Sequence, residues 1–241
     1  MPVARPLDAI FFDIDDTLFS TSVFADKARR AAVDAMVSVG LRTTREACFK
    51  ELTEVVQEFS SNYGMHFDKV VERLPPEASS GLNREIVIAA GIVAYHETKT
   101  REFKVYDDVY EVLRWIGDRV PTRGIISAGI GIKQAEKVIR LKIHEFLSPH
   151  AIYFTEQIGI NKPNPKLYRR VLADLELEAE RTMYVGDNPS NDIDPANEVG
   201  MITVHNRRSG RHSEIRGRTP PDYEISDFYG LRDLLRSDFD L

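Results

Sequence analysis

Apolar residues along the chain follow two rhythms. Short, nearly continuous runs rich in Ile, Val, Phe and Tyr stand at 9–12, 124–126, 151–154, 183–185 and 202–204, each bounded by Gly, Pro, Asp or Asn. Runs of that length and composition read as strands. Between the later runs the apolar period becomes that of a helix, as over 132–141 and 166–175. Strand alternating with helix predicts an α/β fold, a parallel sheet with both faces covered, whose ligands bind beyond the carboxyl ends of its strands.

Residues 20–100 break this alternation and carry no strand-like run. Ala28, Ala32, Ala35, Met36 and Val39 recur at helical spacing, with Gly40 as the stop. Thr44, followed by Glu46 and Ala47, opens a second helix that carries Leu52, Val55, Val56 and Phe59 on one side. A third pattern covers 82–98. The expectation is an all-helical domain, 20–100, inserted into a core made of 1–19 and 101–241. Because it follows the first strand, it should sit over that strand's carboxyl end, where a helical lid would exclude water.

Composition narrows the picture. A hydrophobic share of 42% and a charged share of 29% over 241 residues are those of a soluble globular protein. The formal net charge of −6 argues against broad nucleic-acid or membrane-surface binding, so a phosphate-bearing ligand would need a local positive site. One cysteine, Cys48, excludes an internal disulfide and reads as a small apolar residue on a helix. No targeting segment or membrane span is visible, and the expected location is cytoplasmic. The basic stretch 207–218 has no interleaved aromatic residue and reads as a solvated loop.

The chemistry gathers where the strand-like runs end. In F-F-D-I-D-D-T the carboxylates of Asp13, Asp15 and Asp16 fall within four positions. Such a cluster is tolerated in an interior only if a cation or a proton offsets its charge. Asp13 and Asp15 are two apart, so on extended chain they share a face and could divide the work of nucleophile and general acid/base. In I-I-S-A-G, Ser127 is followed by small residues that let backbone N–H groups approach an anion. In N-K-P-N-P-K, two prolines pin the backbone around Lys162, which could present a point charge to phosphate. In Y-V-G-D-N-P-S-N-D, Asp187 follows a strand-like run and Asp192 comes five positions later; Asp13 and Asp187, from two strand ends, would fit the oxygen ligands that Mg²⁺ prefers. Singly, each stretch is equally well a helix cap, a turn or a solvated lysine.

Together, D-I-D-D-T, I-I-S, K-P-x-P and G-D-x-x-x-x-D resemble the four signature motifs of the haloacid dehalogenase superfamily, over essentially the whole chain. The inserted helices resemble that superfamily's small C1-type cap. The resemblance implies a Rossmann-like core and a phosphoryl-transfer site. In it, Asp13 is the nucleophile, Asp15 the acid/base and Thr17 an orienting residue. Ser127 and Lys162 hold the phosphoryl oxygens, with Asp16 and Ala128 beside them. Mg²⁺ is held by Asp13, Asp187 and the carbonyl of Asp15, with support from Asp192. The stretches 61–68 and 94–99 resemble an archaeal branch of these phosphatases that includes glyceraldehyde-3-phosphate phosphatases. They suggest His66, His96 and Lys99 as contacts for the organic part of the ester. Ala128 departs from the Asn or Asp commoner in the family, and Asn188-Pro189 from Ser-Leu. The implied partner is a small phosphorylated metabolite, with no nucleic acid and no membrane, and a homodimer is compatible. An acid at position 15 favours phosphate chemistry over dehalogenation. A phosphomutase shares all four motifs, and a non-catalytic binding module is the remaining alternative.

Overall fold

The computed structural model describes residues 5–60, 63–208, 212–239 and 241. The run A-I-F-F forms strand β1 (Ala9–Phe12), every residue of it buried. It is apolar throughout because it is central: parallel ladders join Phe12 to Ile125 on one side and to Val185 on the other. Its neighbours are β2 (Thr122–Ser127), then β3 (Ile152–Phe154) beyond, and on the other side β4 (Thr182–Gly186), β5 (Ile202–Asn206) and β6 (Tyr223–Ile225). Among the described residues this is a six-stranded parallel sheet in the order β3-β2-β1-β4-β5-β6. The chain works outward from β1 to β3 and then crosses back to β4. Its direction of winding therefore reverses between β1 and β4, the position at which open sheets of this kind bind ligands.

The chain divides into two compact units, Ser22–Phe103 and the remainder. In the first, the described residues form helices α1 (Thr21–Ser38), α2 (Arg45–Phe59), α3 (His66–Arg73) and α4 (Arg84–Glu102). Met36, Leu52, Val55, Val70 and Ile88 pack as their core, with Cys48 buried among them. Burial, aided by nearby Glu51, pushes the Cys48 thiol up to about 11, so it is an inert packing group. Gly40 ends the turn after α1 at φ +111°, which favours glycine, and the Thr44 hydroxyl caps α2 by accepting from the N–H of Ala47. Two expectations need correction. Val39 is 40% exposed and Phe59 38% exposed, so neither lies on the packed face. Phe59 instead stacks on Tyr63 at the end of its helix. The third pattern begins later than 82, because Asn83 caps α4 by accepting from the N–H groups of Glu85 and Ile86.

The sheet-bearing unit adds α5 (Val109–Gly117), α6 (Gly131–Arg140), α7 (Thr155–Ile158), α8 (Pro165–Asp174), α9 (Asp194–Glu198) and α10 (Phe228–Asp238). Neighbouring side chains on β1 point to opposite faces. Phe11 clusters with Tyr184 and with Leu167, Tyr168 and Val171 of α8, whereas Phe12 stacks on Phe228 of α10. Both faces are thereby covered. Within the described residues no helix is long and apolar enough to cross a membrane.

Candidate active site

The end of β1 delivers the first carboxylate. Asp13 extends the ladder by donating its N–H to the carbonyl of Val185 at 3.0 Å, which keeps it level with the end of β4. After Ile14 the chain leaves the sheet, and buried Asp16 takes a left-handed φ of 56°. On β4, Gly186 precedes Asp187. A Cβ on Gly186 would lie 2.6 Å from the carboxyl carbon of Asp192, so only glycine lets the strand pass beneath that side chain. Asn188 then caps the π-helical turn Pro189–Ile193 by accepting from the N–H groups of Ser190 and Asn191. Its own N–H donates to Asp192 Oδ2 at 3.0 Å, which folds Asp192 back over the strand end. The unusual Asn188-Pro189 pair thus performs the capping itself.

Lys162 closes the cluster. Its Nζ donates to Asp13 Oδ1 at 2.7 Å, to Asp192 Oδ1 at 2.7 Å and to the Tyr184 hydroxyl at 2.6 Å. The Tyr184 hydroxyl in turn donates to the carbonyl of Ile126 at 3.0 Å, tying the lysine to β2. The Lys162 side chain is only 3% exposed, so it is no solvated lysine. Burial pulls its pKa down, but the Asp13 and Asp192 carboxylates outweigh this and hold it above the ordinary lysine value. Asp13 feels the opposite balance. Burial outweighs the attraction of Lys162, and Asp192 and Asp15 add repulsion, so its carboxyl is pushed up to about 7.

Asp13, Asp187 and Asp192 are all buried, and each offers an oxygen within 4.8 Å of the others'. Three acids against one lysine leave an excess of negative charge, and the donor set is oxygen only. Both facts fit a hard divalent cation. Asp192 already accepts from Lys162 on Oδ1 and from the N–H of Asn188 on Oδ2, so both of its oxygens are engaged. Asp187 is braced by two histidines. His212 Nδ1 stands 2.7 Å from its Oδ2, and His205 Nε2 donates to its carbonyl at 3.0 Å. Burial holds His205 below the ordinary histidine value.

The remaining residues fall into separate groups. Asp15 does not turn towards Lys162; it pairs with Lys137 and accepts from the Thr21 hydroxyl. Ser127 is buried and donates to Gln134 Oε1 at 3.3 Å, while Gln134 Nε2 donates to the carbonyl of Ala128 at 2.8 Å. Ser127 is therefore not a helix cap; α6 begins four residues later, at Gly131, with no side-chain cap. Thr17 is fully buried, and its carbonyl accepts from Asn206 Nδ2, but its hydroxyl has no partner among the described residues. His66, His96 and Lys99 belong to the helical unit. The His66 ring is 2.8 Å from the carbonyl of Ser60, and His96 lies exposed on α4 with Lys99 one turn on. Part of the 61–68 stretch, Ser61 and Asn62, lies outside the described residues.

Sequence reasoning missed Lys137, Gln134, Tyr184 and His212. The basic stretch 207–218 is more than a solvated loop. Ser209, Gly210 and Arg211 lie outside the described residues, but Arg207 pairs with Glu214 and Glu224, and His212 reaches Asp187. The only signals available were the helical phase of Gln134 and Lys137 after Ser127 and a lone tyrosine in an apolar strand.

A family model described as haloacid dehalogenase-like hydrolase matches residues 10–205. The glyceraldehyde 3-phosphate phosphatase of Methanopyrus kandleri is 39% identical over 235 residues, 95% of this chain and 97% of that protein. The protein of the same name from Methanocaldococcus jannaschii is 35% identical over 96% of this chain and 98% of its own. The crystal structure of a HAD phosphatase from Thermococcus onnurineus aligns with a TM-score of 0.65 at 23% identity, covering 95% of this chain and 98% of that one.

Proposed function

The chain belongs to the haloacid dehalogenase-like hydrolase family, and from that membership we propose that it is a Mg²⁺-dependent phosphatase acting on a small phosphate monoester, glyceraldehyde 3-phosphate foremost. The names of its relatives support phosphoric monoester hydrolysis and the triose substrate. The observation that carries the reading is the buried junction at the winding reversal, where Asp13 lies against Lys162 within reach of Asp187 and Asp192.

In this mechanism an Asp13 carboxylate oxygen attacks phosphorus as the ester P–O bond breaks, and the phosphoryl group passes to the aspartate. Asp15 gives its proton to the departing alkoxide. A water then attacks the aspartyl phosphate, Asp15 takes the water's proton, the Asp13–phosphorus bond breaks and inorganic phosphate leaves. Lys162 and Ser127 bind the phosphoryl oxygens beside the small residues Ala128 and Gly129, and the turn at Asp16 and Thr17 shapes the loop between the two acids. Asp13, Asp187 and the Asp15 carbonyl would hold the Mg²⁺, with Asp192 behind them. When bound, the ion neutralises charge on the phosphoryl oxygens and on the acid cluster. His66, His96 and Lys99 are assigned to the ester's organic part.

The test is phosphate release across triose, hexose and nucleotide monophosphates. Turnover should vanish in EDTA, return with Mg²⁺ and be abolished by Asp13→Asn, with the triose phosphate the preferred substrate. Metal-independent turnover, substantial activity in Asp13→Asn, or an isomerised phosphoester in place of free phosphate would overturn the reading.

A further inference from the structure

The carboxylate of Asp15 is held by a group that neither the signature motifs nor the metal cluster accounts for. Lys137 Nζ lies 2.7 Å from Oδ1 and 2.6 Å from Oδ2, a two-pronged grip across 122 positions of sequence. Thr21 donates its hydroxyl to Oδ1 at 2.7 Å. The pair is partly sheltered, with Lys137 21% and Asp15 33% exposed at the side chain. Asp15 stands on a loop that has left the sheet, next to a residue of left-handed backbone. A third of its surface faces solvent, so packing alone does not fix its rotamer.

We propose that Lys137 is a positioning residue which, with Thr21, fixes the orientation of the Asp15 carboxyl group, which in its protonated form gives its proton to the leaving oxygen and as the carboxylate then takes the proton of the attacking water. Lys137 belongs to α6, the helix that follows Ser127, and Gln134 on the same helix holds both Ser127 and the Ala128 carbonyl. Gln134 and Lys137 are three apart and so neighbours on the helix surface. One helix therefore indexes the proposed phosphate-binding serine and the proposed acid against each other. An ion pair this exposed adds little to stability. Its effect is on orientation, where a displacement of an ångström costs far more in rate than in folding.

The inference rests on the proposed role of Asp15, and the experiment separates the two. Leaving-group release is measured in single turnover on the full chain with Mg²⁺, using an alkyl ester, glycerol phosphate, and p-nitrophenyl phosphate, whose leaving group needs no proton. Asp15→Asn should slow the alkyl ester on the order of 10²-fold more than the aryl ester. Lys137→Met should slow the alkyl ester about tenfold with little change for the aryl ester. Substrate affinity should hold, Lys137→Arg should recover most of the rate, and Lys137→Met should add nothing in an Asp15→Asn background. If Asp15→Asn slows both esters equally, the acid assignment is wrong. If Asp15→Asn discriminates but Lys137→Met and Lys137→Gln slow both esters equally or neither, the positioning role is overturned.

Discussion

Lys162 is buried between two of the three acids that could hold a cation, and its removal exposes how the site balances charge. Breaking a buried pair by deleting one partner costs about 3–5 kcal/mol, because the other charges stay buried without compensation. Lys162→Met is expected to lose stability of about that size in EDTA, measured by denaturant unfolding. If Mg²⁺ binds the folded acids as proposed, and not the unfolded chain, it should restore more stability to the variant than to the parent chain. A loss of equal size with and without Mg²⁺ would show that Lys162 and the cation do not share one charge cluster. At this scale Asp13, Asp187, Asp192 and Lys162 could be singled out in the sequence, because Asp13 and Asp187 directly follow apolar strands, Asp192 lies in the turn after β4, and Lys162 stands just ahead of Pro163 and Pro165. Lys137, Tyr184 and His212 could not. Lys137 meets Asp15 across 122 positions and His212 meets Asp187 across 25, and no local pattern encodes such a meeting.

Among the elements, the turn after β4 sets how tightly Asp192 can approach the strand end. Gly186 leaves no room for a methyl group, and the obstacle is the Asp192 side chain itself, braced by the Asn188 N–H and by Lys162. Gly186→Ala should push Asp192 off the cluster. Calorimetric titration should then show Mg²⁺ affinity about tenfold weaker, as when a group that orients metal ligands is lost. Unchanged affinity would mean that Asp192 has no part in holding the ion. The central strands were legible because burial on both faces makes them continuous apolar runs. Strand β6 was not: Tyr-Glu-Ile is a three-residue edge strand with a glutamate at its centre, too short to establish a period. Helix α3 was missed for a related reason, since only Val70 and Val71 of its eight residues are buried.

For the molecule as a whole, every group assigned to bond-making lies in the sheet-bearing unit, and the helical unit supplies none of them. The run of helices straight after β1 was readable from the change of apolar period, because a helical block cannot be mistaken for βα alternation. The substrate was suggested only by the resemblance of 61–68 and 94–99 and not by any physical pattern, because polar residues on helices look alike whether they face solvent or a ligand. If the helical unit governs substrate choice, altering it should change discrimination without changing the chemistry. His96 and Lys99 are three apart on α4 and so share a face, whereas the His66 ring is already tied to the Ser60 carbonyl. The double substitution His96→Ala with Lys99→Met should therefore raise KM for glyceraldehyde 3-phosphate about tenfold. Turnover of p-nitrophenyl phosphate and the Mg²⁺ requirement should stay as they were. His66→Ala alone should have the smaller effect on KM. Steady-state kinetics on both esters decide it: a matching fall on the two would assign these residues to folding, and no change on either would leave substrate choice to the core.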